Sequence, residues 1–284
     1  MASNCLPNEA IQQAYCRLEG GVYGVRMVDR ESNKGLSAKA CNELIEAACR
    51  IASVEELHAL CSQFCEEAGF DYFLYGAVLP SSMVRPQTII ISGYPSDWWT
   101  HYQQRGYMSI DPVVQHTTSG QALPLIWNDI NPAAHPESGL VRNFLQEAAD
   151  FGLASGISFP VHGQHGENAV LSFTSNQPHT LSRPRIIEAM PYGQLLASYV
   201  HEAARRVFNS GSVMLDRPIL TERETECLLW AAEGKTSWDT AQILGISERT
   251  VQFHLRNAAH KLNVSNRAQA VARAVAQGHI TPQF

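Results

Sequence analysis

Between residues 94 and 127 the chain gathers side chains that can recognise a small polar molecule. Tyr94, Trp98 and Tyr102 recur at every fourth residue, which lines them along one side of a helix and its entry. Asp111, followed by Pro112, and Trp127 come next. An indole N–H only donates, an ionised carboxylate only accepts, and a phenol can donate. A structural aromatic cluster is the competing reading of any such stripe. Two features tilt against it: Tyr and Trp carry polar tips that need partners when buried, and a buried carboxylate among rings is costly unless something bonds to it. Donors, an acceptor and apolar walls together are what a small-molecule site requires.

A second group lies near the C-terminus. Val251, Leu255, Ala258 and Leu262 fall on one face of a helix, and Arg249, Gln252, Phe253, Arg256 and His260 on the opposite face. With the apolar face buried, two arginines and an amide point outward, a set suited to the DNA major groove: Arg pairs two-fold with guanine, Gln with adenine. Lys235, Thr236 and Lys261 flank this helix and can hold phosphates. An ordinary solvated helix face is the alternative for one helix alone.

The elements that position these groups are legible. From Leu220 to Ile280 four short helices each carry start or stop signals. Thr221 with Glu224 forms a capping box and Gly234 stops the first helix; Thr236 or Ser237 caps the second, which ends at Gly245. Ser247 caps the third, and Asn266 with Gln269 opens the fourth. Further upstream, 37–69 reads as two helices, with Ser53 and Glu56 as a box and Gly69 as a stop. The runs YFLYGAVLP, TIIISGYP, GISFPVHG and NAVLSFTS read as strands, the last two joined by the turn around Gly163–Gly166, and LPLIWNDI is a further run. PSDWWTHYQQRG and SGLVRNFLQEAADFG read as helices, and 183–208 as a helix open to a break at Pro191. The predicted organisation is an N-terminal extension over 1–36, an α+β domain over 37–208, a linker over 209–218, and an all-α helix-turn-helix domain over 219–284. The first domain is read as an α-β-α sandwich with a mostly antiparallel sheet.

Composition narrows the class. The 284 residues suit two domains, and a hydrophobic share of 45% supports real cores. No apolar run approaches a membrane span, and no basic region precedes an apolar stretch at the N-terminus, so a cytoplasmic protein is expected. Net charge is −6, yet within 248–273 five Lys or Arg face the single acidic Glu248, the local excess that DNA needs. The seven cysteines include no CxxC pair; Cys61 and Cys65 share a helix face and read as reduced core residues, with a redox pair as the minor alternative. The eleven histidines show no HxxxH or HxH grouping, so neither a metal site nor a lactone-hydrolysing enzyme is expected; His162 and His165 near Glu167 read as a polar turn. A phosphorylated response regulator would need an acidic pair in a repeating βα pattern, which 1–210 lacks.

Over about sixty residues, Leu220 to Ile280, which include LTERETECLLW and KTSWDTAQILGISERTVQFHLRNAAHKLNV, the chain resembles the DNA-binding domain of LuxR-type transcription regulators. It departs at Asp239-Thr240, where Glu-Ile is common and Thr240 weakens packing, and at Gln252, where many relatives have Asn. YPSDWWTHYQQRGYMSIDPVV, LPLIW and SGISFPVHGQHGE resemble the autoinducer-binding domain of LuxR-type receptors, nearest the LasR- and RhlR-like subgroup. The resemblance implies an N-acyl homoserine lactone as ligand and no other cofactor, a homodimer on double-stranded DNA, and an inverted-repeat promoter site. It implies that Trp98 donates to the lactone carbonyl and that Asp111 accepts the amide N–H. Tyr102 donates to the acyl carbonyl with Tyr94 and Ser172 nearby, and Trp127 packs on the lactone ring. Gly76 gives room for the chain, and Gly156 permits close strand packing. Trp99 and Val113 depart from the subgroup and point to an unsubstituted chain. The alternative is the same regulator answering to another small molecule, or to none.

Overall fold

The structure, a computed structural model, describes residues 36–79, 87–135, 137–163, 166–211 and 219–280. The expected N-terminal extension, apart from Leu36, and most of the expected linker lie outside the described residues, as does His165. The chain divides into two compact units, one ending at Gly211 and one that holds 219–280.

The first unit runs α1 (Ala38–Ala48), α2 (Val54–Ala68), β1 (Tyr72–Leu79), β2 (Gln87–Ser92), α3 (Ser96–Arg105), α4 (Pro112–Thr118), β3 (Leu125–Ile126), α5 (Ser138–Asp150), β4 (Ser155–His162), β5 (Asn168–Ser175) and α6 (His179–Gly211). The five strands form one sheet in the order β2-β1-β5-β4-β3, and every neighbouring pair is antiparallel. Period-2 alternation in β1 decides the two faces. Phe73, Tyr75, Ala77 and Leu79 are buried in the main core with Leu57, Phe64, Phe159, Phe173 and Leu196, under α1, α2 and α6. Tyr72, Leu74, Gly76 and Val78 point the other way and are only half-buried. On that second side Trp98, Tyr102, Tyr107, Phe144 and Leu153 form a separate aromatic cluster.

Local chemistry explains the element ends. Ser53 caps α2 by accepting from Glu56 N at 3.2 Å; Glu56 reaches back to Ala52 N, one residue short of a strict box. Gly69 closes α2 in the left-handed region at φ 74°. Helix α6 differs from the expectation: it passes through both Pro184 and Pro191 without a break. The carbonyls that lose a donor belong to Thr180 and Ile187, both exposed, so water can satisfy them. LPLIWNDI yields only the two residues of β3, followed by a 3-10 turn over Trp127–Asp129.

The second unit consists of α7 (Glu222–Ala232), α8 (Ser237–Leu244), α9 (Glu248–Lys261) and α10 (Arg267–Ala276) around Cys227, Leu228, Val251, Leu255, Ala258, Ala270 and Ala274. Thr221–Glu224 and Thr236–Asp239 are both complete capping boxes, and Gly245 ends α8 in the left-handed region. Asp239 thus serves the cap, and the buried Thr240 hydroxyl is satisfied by Thr236 O at 2.8 Å. Cys61 and Cys65 are buried, and burial pushes both thiols far up, so thiolate chemistry is suppressed at the pair.

Candidate functional site

The cross-strand register lays out one polar row on the half-buried face of the sheet. Leu74 faces Ser172, which faces Ser158, which faces Leu125. Ser158 and Ser172 hydroxyls are 2.8 Å apart, and Trp127 donates its indole N–H to Ser158 at 2.8 Å. One step along, Tyr72 faces Thr174, which faces Gly156. Thr174 Oγ1 is fully buried and makes no hydrogen bond of normal geometry to a described residue. Tyr94 comes over this row: burial pushes its phenol far up, and the neighbouring Thr174 and Ser172 hydroxyls draw it back.

Helix α3 presents Trp98 and Tyr102, spaced by one turn, toward the same side, with ring centroids 5.9 Å apart. Trp98 is 3% exposed and is fixed by Tyr107, Phe144 and Phe151. Trp99 lies flat on Tyr102, at 5.6 Å and an interplanar angle of 7°. Asp111 caps α4, a helix that the Asp-Pro pair could have announced, since Asp at the cap with Pro first inside is a helix start. Its Oδ1 accepts from Val113 N at 2.8 Å and its Oδ2 from the Tyr102 hydroxyl at 2.9 Å. Burial raises the carboxyl to about 6, against the pull of the Val113 amide, the Tyr102 hydroxyl and the Val114 amide. Val113 is buried beside it.

The two expected glycines differ. A Cβ at Gly156 would stand 2.7 Å from Phe173 O, so strand packing itself excludes a side chain there. A Cβ at Gly76 would meet only Leu74 Cδ2 at 3.5 Å and Val170 Cγ1 at 3.8 Å, ordinary contacts, so nothing in the sheet demands glycine. The missing side chain leaves space on the half-buried face.

The sequence reading missed Ser158, Thr174 and a carboxylate behind α3: Glu147 of α5 accepts from His101 and Tyr107, which hold its carboxyl below the usual range. Alternation in β4 and β5 signals Ser158 and Thr174; nothing local to 147 signals its partners. His162 and Glu167 do not converge on a reaction centre. His162 Nε2 bonds Thr117 O at 2.9 Å, whereas Glu167 pairs with His201 and Arg205.

In the second unit, Arg249, Gln252, Phe253 and Arg256 are exposed on α9, as are Lys235 and Thr236 at the start of α8. Gln252 Nε2 donates to Glu248 Oε1 at 3.1 Å, one turn earlier. Arg267 donates to Lys235 O, which fixes the turn between α7 and α8. Lys261 is placed differently: its ammonium donates to Glu224 Oε2 at 2.8 Å and to Ile219 O at 3.1 Å. Burial raises the Glu224 carboxyl, but Lys261 and Thr221 outweigh burial and hold it below the usual range. Lys261 is thus engaged within the domain, whereas Lys235 and Thr236 keep their side chains exposed at the start of α8.

Comparison with known proteins fits each unit. Residues 53–204 match the autoinducer binding domain, and residues 218–274 match bacterial regulatory proteins, luxR family. The transcriptional activator protein AhyR of Aeromonas hydrophila is 37% identical over 252 residues, 85% of this chain and 92% of that protein. Escherichia coli SdiA superposes with a TM-score of 0.65 at 26% identity, over 86% of this chain and 99% of that one. SdiA in complex with octanoyl-rac-glycerol superposes with a TM-score of 0.67 at 27% identity, over 87% of this chain and 97% of that one.

Proposed function

We propose that this chain, which belongs to the LuxR-type family of autoinducer-binding transcription regulators, takes an N-acyl homoserine lactone between α3, α4 and the sheet and reads an inverted-repeat promoter site as a homodimer. It is a ligand-responsive transcription regulator and not an enzyme. One observation carries the ligand assignment: Asp111, a half-buried acceptor, stands beside a hydroxyl donor and apolar rings. An acyl homoserine lactone offers the matching parts, one amide N–H, carbonyl acceptors and an apolar tail. In this assignment Asp111 takes the amide N–H and Trp98 donates to the lactone carbonyl. Trp127 and Val113 wall the head, Ser172 lies near the acyl oxygen, and the tail runs over Gly76. Each buried CH₂ of the tail adds about 0.8 kcal/mol.

A second reading is an acylglycerol ligand. The SdiA complex with octanoyl-rac-glycerol motivates it, since glycerol hydroxyls can also donate to Asp111. DNA is read by Arg249, Gln252, Phe253 and Arg256, with Lys235 and Thr236 on phosphates. Leu181, Ile187 and Leu195 of α6, exposed at 62%, 54% and 47%, supply an apolar stripe for pairing of first units. Val275, exposed at 51%, with Ala268 and Ala272 does so on α10. Among the described residues no helix is long and apolar enough to cross a membrane, which accords with action on DNA in the cytoplasm. The test is a reporter dose response. Asp111→Asn and Trp98→Phe should each raise the half-maximal lactone concentration about tenfold or more, roughly one charge-assisted hydrogen bond. Unchanged responses at normal protein levels would remove both residues from the site.

A further inference from the structure

Helix α3 carries Trp98 and Tyr102 on one side, and its other side is anchored to α5. His101 falls one turn after Trp98, and its Nε2 donates to Glu147 Oε2 at 2.5 Å. The Tyr107 hydroxyl donates to the same oxygen at 2.5 Å, and Arg105 Nη2 stands 3.9 Å from Oε1. Glu147 comes three residues after Phe144, so one face of α5 delivers the carboxylate together with the ring that meets Trp98 at 5.8 Å and Tyr107 at 5.1 Å. The Tyr107 and His101 bonds, with Arg105 behind them, outweigh burial and hold the carboxyl below its ordinary range, so the acceptor is ionised near neutral pH.

Both donors are walls of Trp98: the His101 ring centroid lies 6.0 Å from that of the indole, and the Tyr107 ring centroid 6.2 Å. Tyr107 also acts through its backbone, where its carbonyl accepts from Ile110 N at 3.0 Å and from Asp111 N at 2.8 Å. One carboxylate thus fixes two rings that hem Trp98 and the turn that leads into Asp111. Dispersion alone lets rings in a cluster slide, whereas a hydrogen bond at the ring's polar tip sets its orientation. A recognition site needs its groups held within about 0.5 Å of the productive geometry. Resting on the ligand class given above, we propose that Glu147 is a positioning residue for ligand recognition: without touching the ligand, it clamps His101 and Tyr107 so that Trp98 and Asp111 stand in place in the free protein. A carboxylate that only adds stability would leave the worth of the Trp98 indole to the ligand unchanged. A positioning carboxylate makes that worth depend on position 147.

The experiment is calorimetric titration of the purified full chain with N-octanoyl homoserine lactone near neutral pH and well below the melt of each variant. It compares wild type, Trp98→Phe, Glu147→Met, Glu147→Gln, and Trp98→Phe combined with Glu147→Met. Glu147→Met keeps the length of the side chain and removes both acceptors, and should weaken binding about tenfold. Glu147→Gln keeps one acceptor oxygen with two lone pairs and should bind within about threefold of wild type. The coupling separates the readings: Trp98→Phe should cost about tenfold in the wild type but less than about threefold when Glu147→Met is already present. A Trp98→Phe cost that is the same on both backgrounds would overturn the proposal and make Glu147 a plain anchor, whatever stability its loss removes. An unchanged affinity of Glu147→Met would overturn it as well. Should Glu147→Met not fold, Tyr107→Phe takes its place in the cycle, since it removes one bond to the carboxylate and keeps the ring. A tenfold cost of Trp98→Phe that simply adds to that of position 147 sinks this inference and leaves the ligand reading standing, whereas no lactone binding by the wild type sinks both.

Discussion

Lys261 Nζ lies 2.8 Å from Glu224 Oε2, so the last turn of α9 is tied to the first turn of α7 by an ion pair whose carboxylate is almost fully buried. Lys261→Met should strand a buried charge and lower the stability of this domain by about 2 kcal/mol near neutral pH. Because the Glu224 carboxyl is held below its ordinary value, the pair's contribution is present above the unfolded carboxylate range and is lost as pH falls through it. Denaturant unfolding of 219–284 at several pH values measures both effects. A variant of unchanged stability, with a DNA salt slope lowered by about one, would return Lys261 to the phosphate backbone.

Asp111 trades stability for recognition. Its carboxyl is raised to about 6, so between the ordinary aspartate value and about pH 6 the folded chain holds a proton that the unfolded chain has released. The sign follows: its stabilising share is complete below the unfolded value, declines as pH rises, and is gone above about 6. Asp111→Asn should therefore melt higher than wild type at neutral pH without ligand, by an amount on the order of 2 kcal/mol, and the gap should close toward pH 4. Thermal melts across pH show whether it does; a variant less stable than wild type at pH 7 contradicts the desolvation account.

The two sheet glycines should respond oppositely. Gly156→Ala drives a methyl into Phe173 O and should cost about 2 kcal/mol or more of stability whatever ligand is present. Gly76→Val should fold with at most a small loss, yet shift preference to shorter acyl chains, because it fills the space along β1. Melting and a chain-length series on both variants make the comparison. Equal potency of short and long chains on a folded Gly76→Val would take the tail off β1.

Reading by α9 and holding by the turn before α8 should separate in binding. Arg256→Ala should cost about 1–3 kcal/mol and relax preference at one position of each half-site. Lys235→Ala should weaken all sequences alike and lower the salt slope by about one. Titrations against single-base operator variants at several salt concentrations give both numbers. Uniform weakening by Arg256→Ala, with base preferences kept, would mean that its guanidinium sits on phosphate.

Most of this was legible because the signals are local. Capping boxes at Thr221 and Thr236, the left-handed stops at Gly69 and Gly245, and the alternation of β1 follow from a few neighbouring residues each. The spacing of Tyr94, Trp98 and Tyr102 was readable for the same reason. What escaped was set by distant partners. Lys261 looks like any exposed helix-end cation until Glu224, 37 residues away, is folded against it. Glu147 gains its role only from His101, 46 residues away, and from Tyr107. From sequence the Tyr102 hydroxyl is expected to face the acyl carbonyl, whereas the fold sets it 2.9 Å from Asp111 Oδ2, nine residues away. Helix α6 runs through Pro191, and the residues whose carbonyls lose a donor, Thr180 and Ile187, are exposed, a placement that residue types alone do not fix.

Thermal melting of the purified chain against a series of saturated N-acyl homoserine lactones, with octanoyl glycerol alongside, tests the central claim most directly. A ligand at about 100 times its dissociation constant adds roughly 2.7 kcal/mol to the folded state. The first unit should then melt roughly 5 to 10 °C higher with the matching lactone, and the gain should rise with chain length to an optimum. A series that leaves the melt unmoved at every chain length would contradict the lactone assignment, and a shift confined to octanoyl glycerol would transfer the site to acylglycerols.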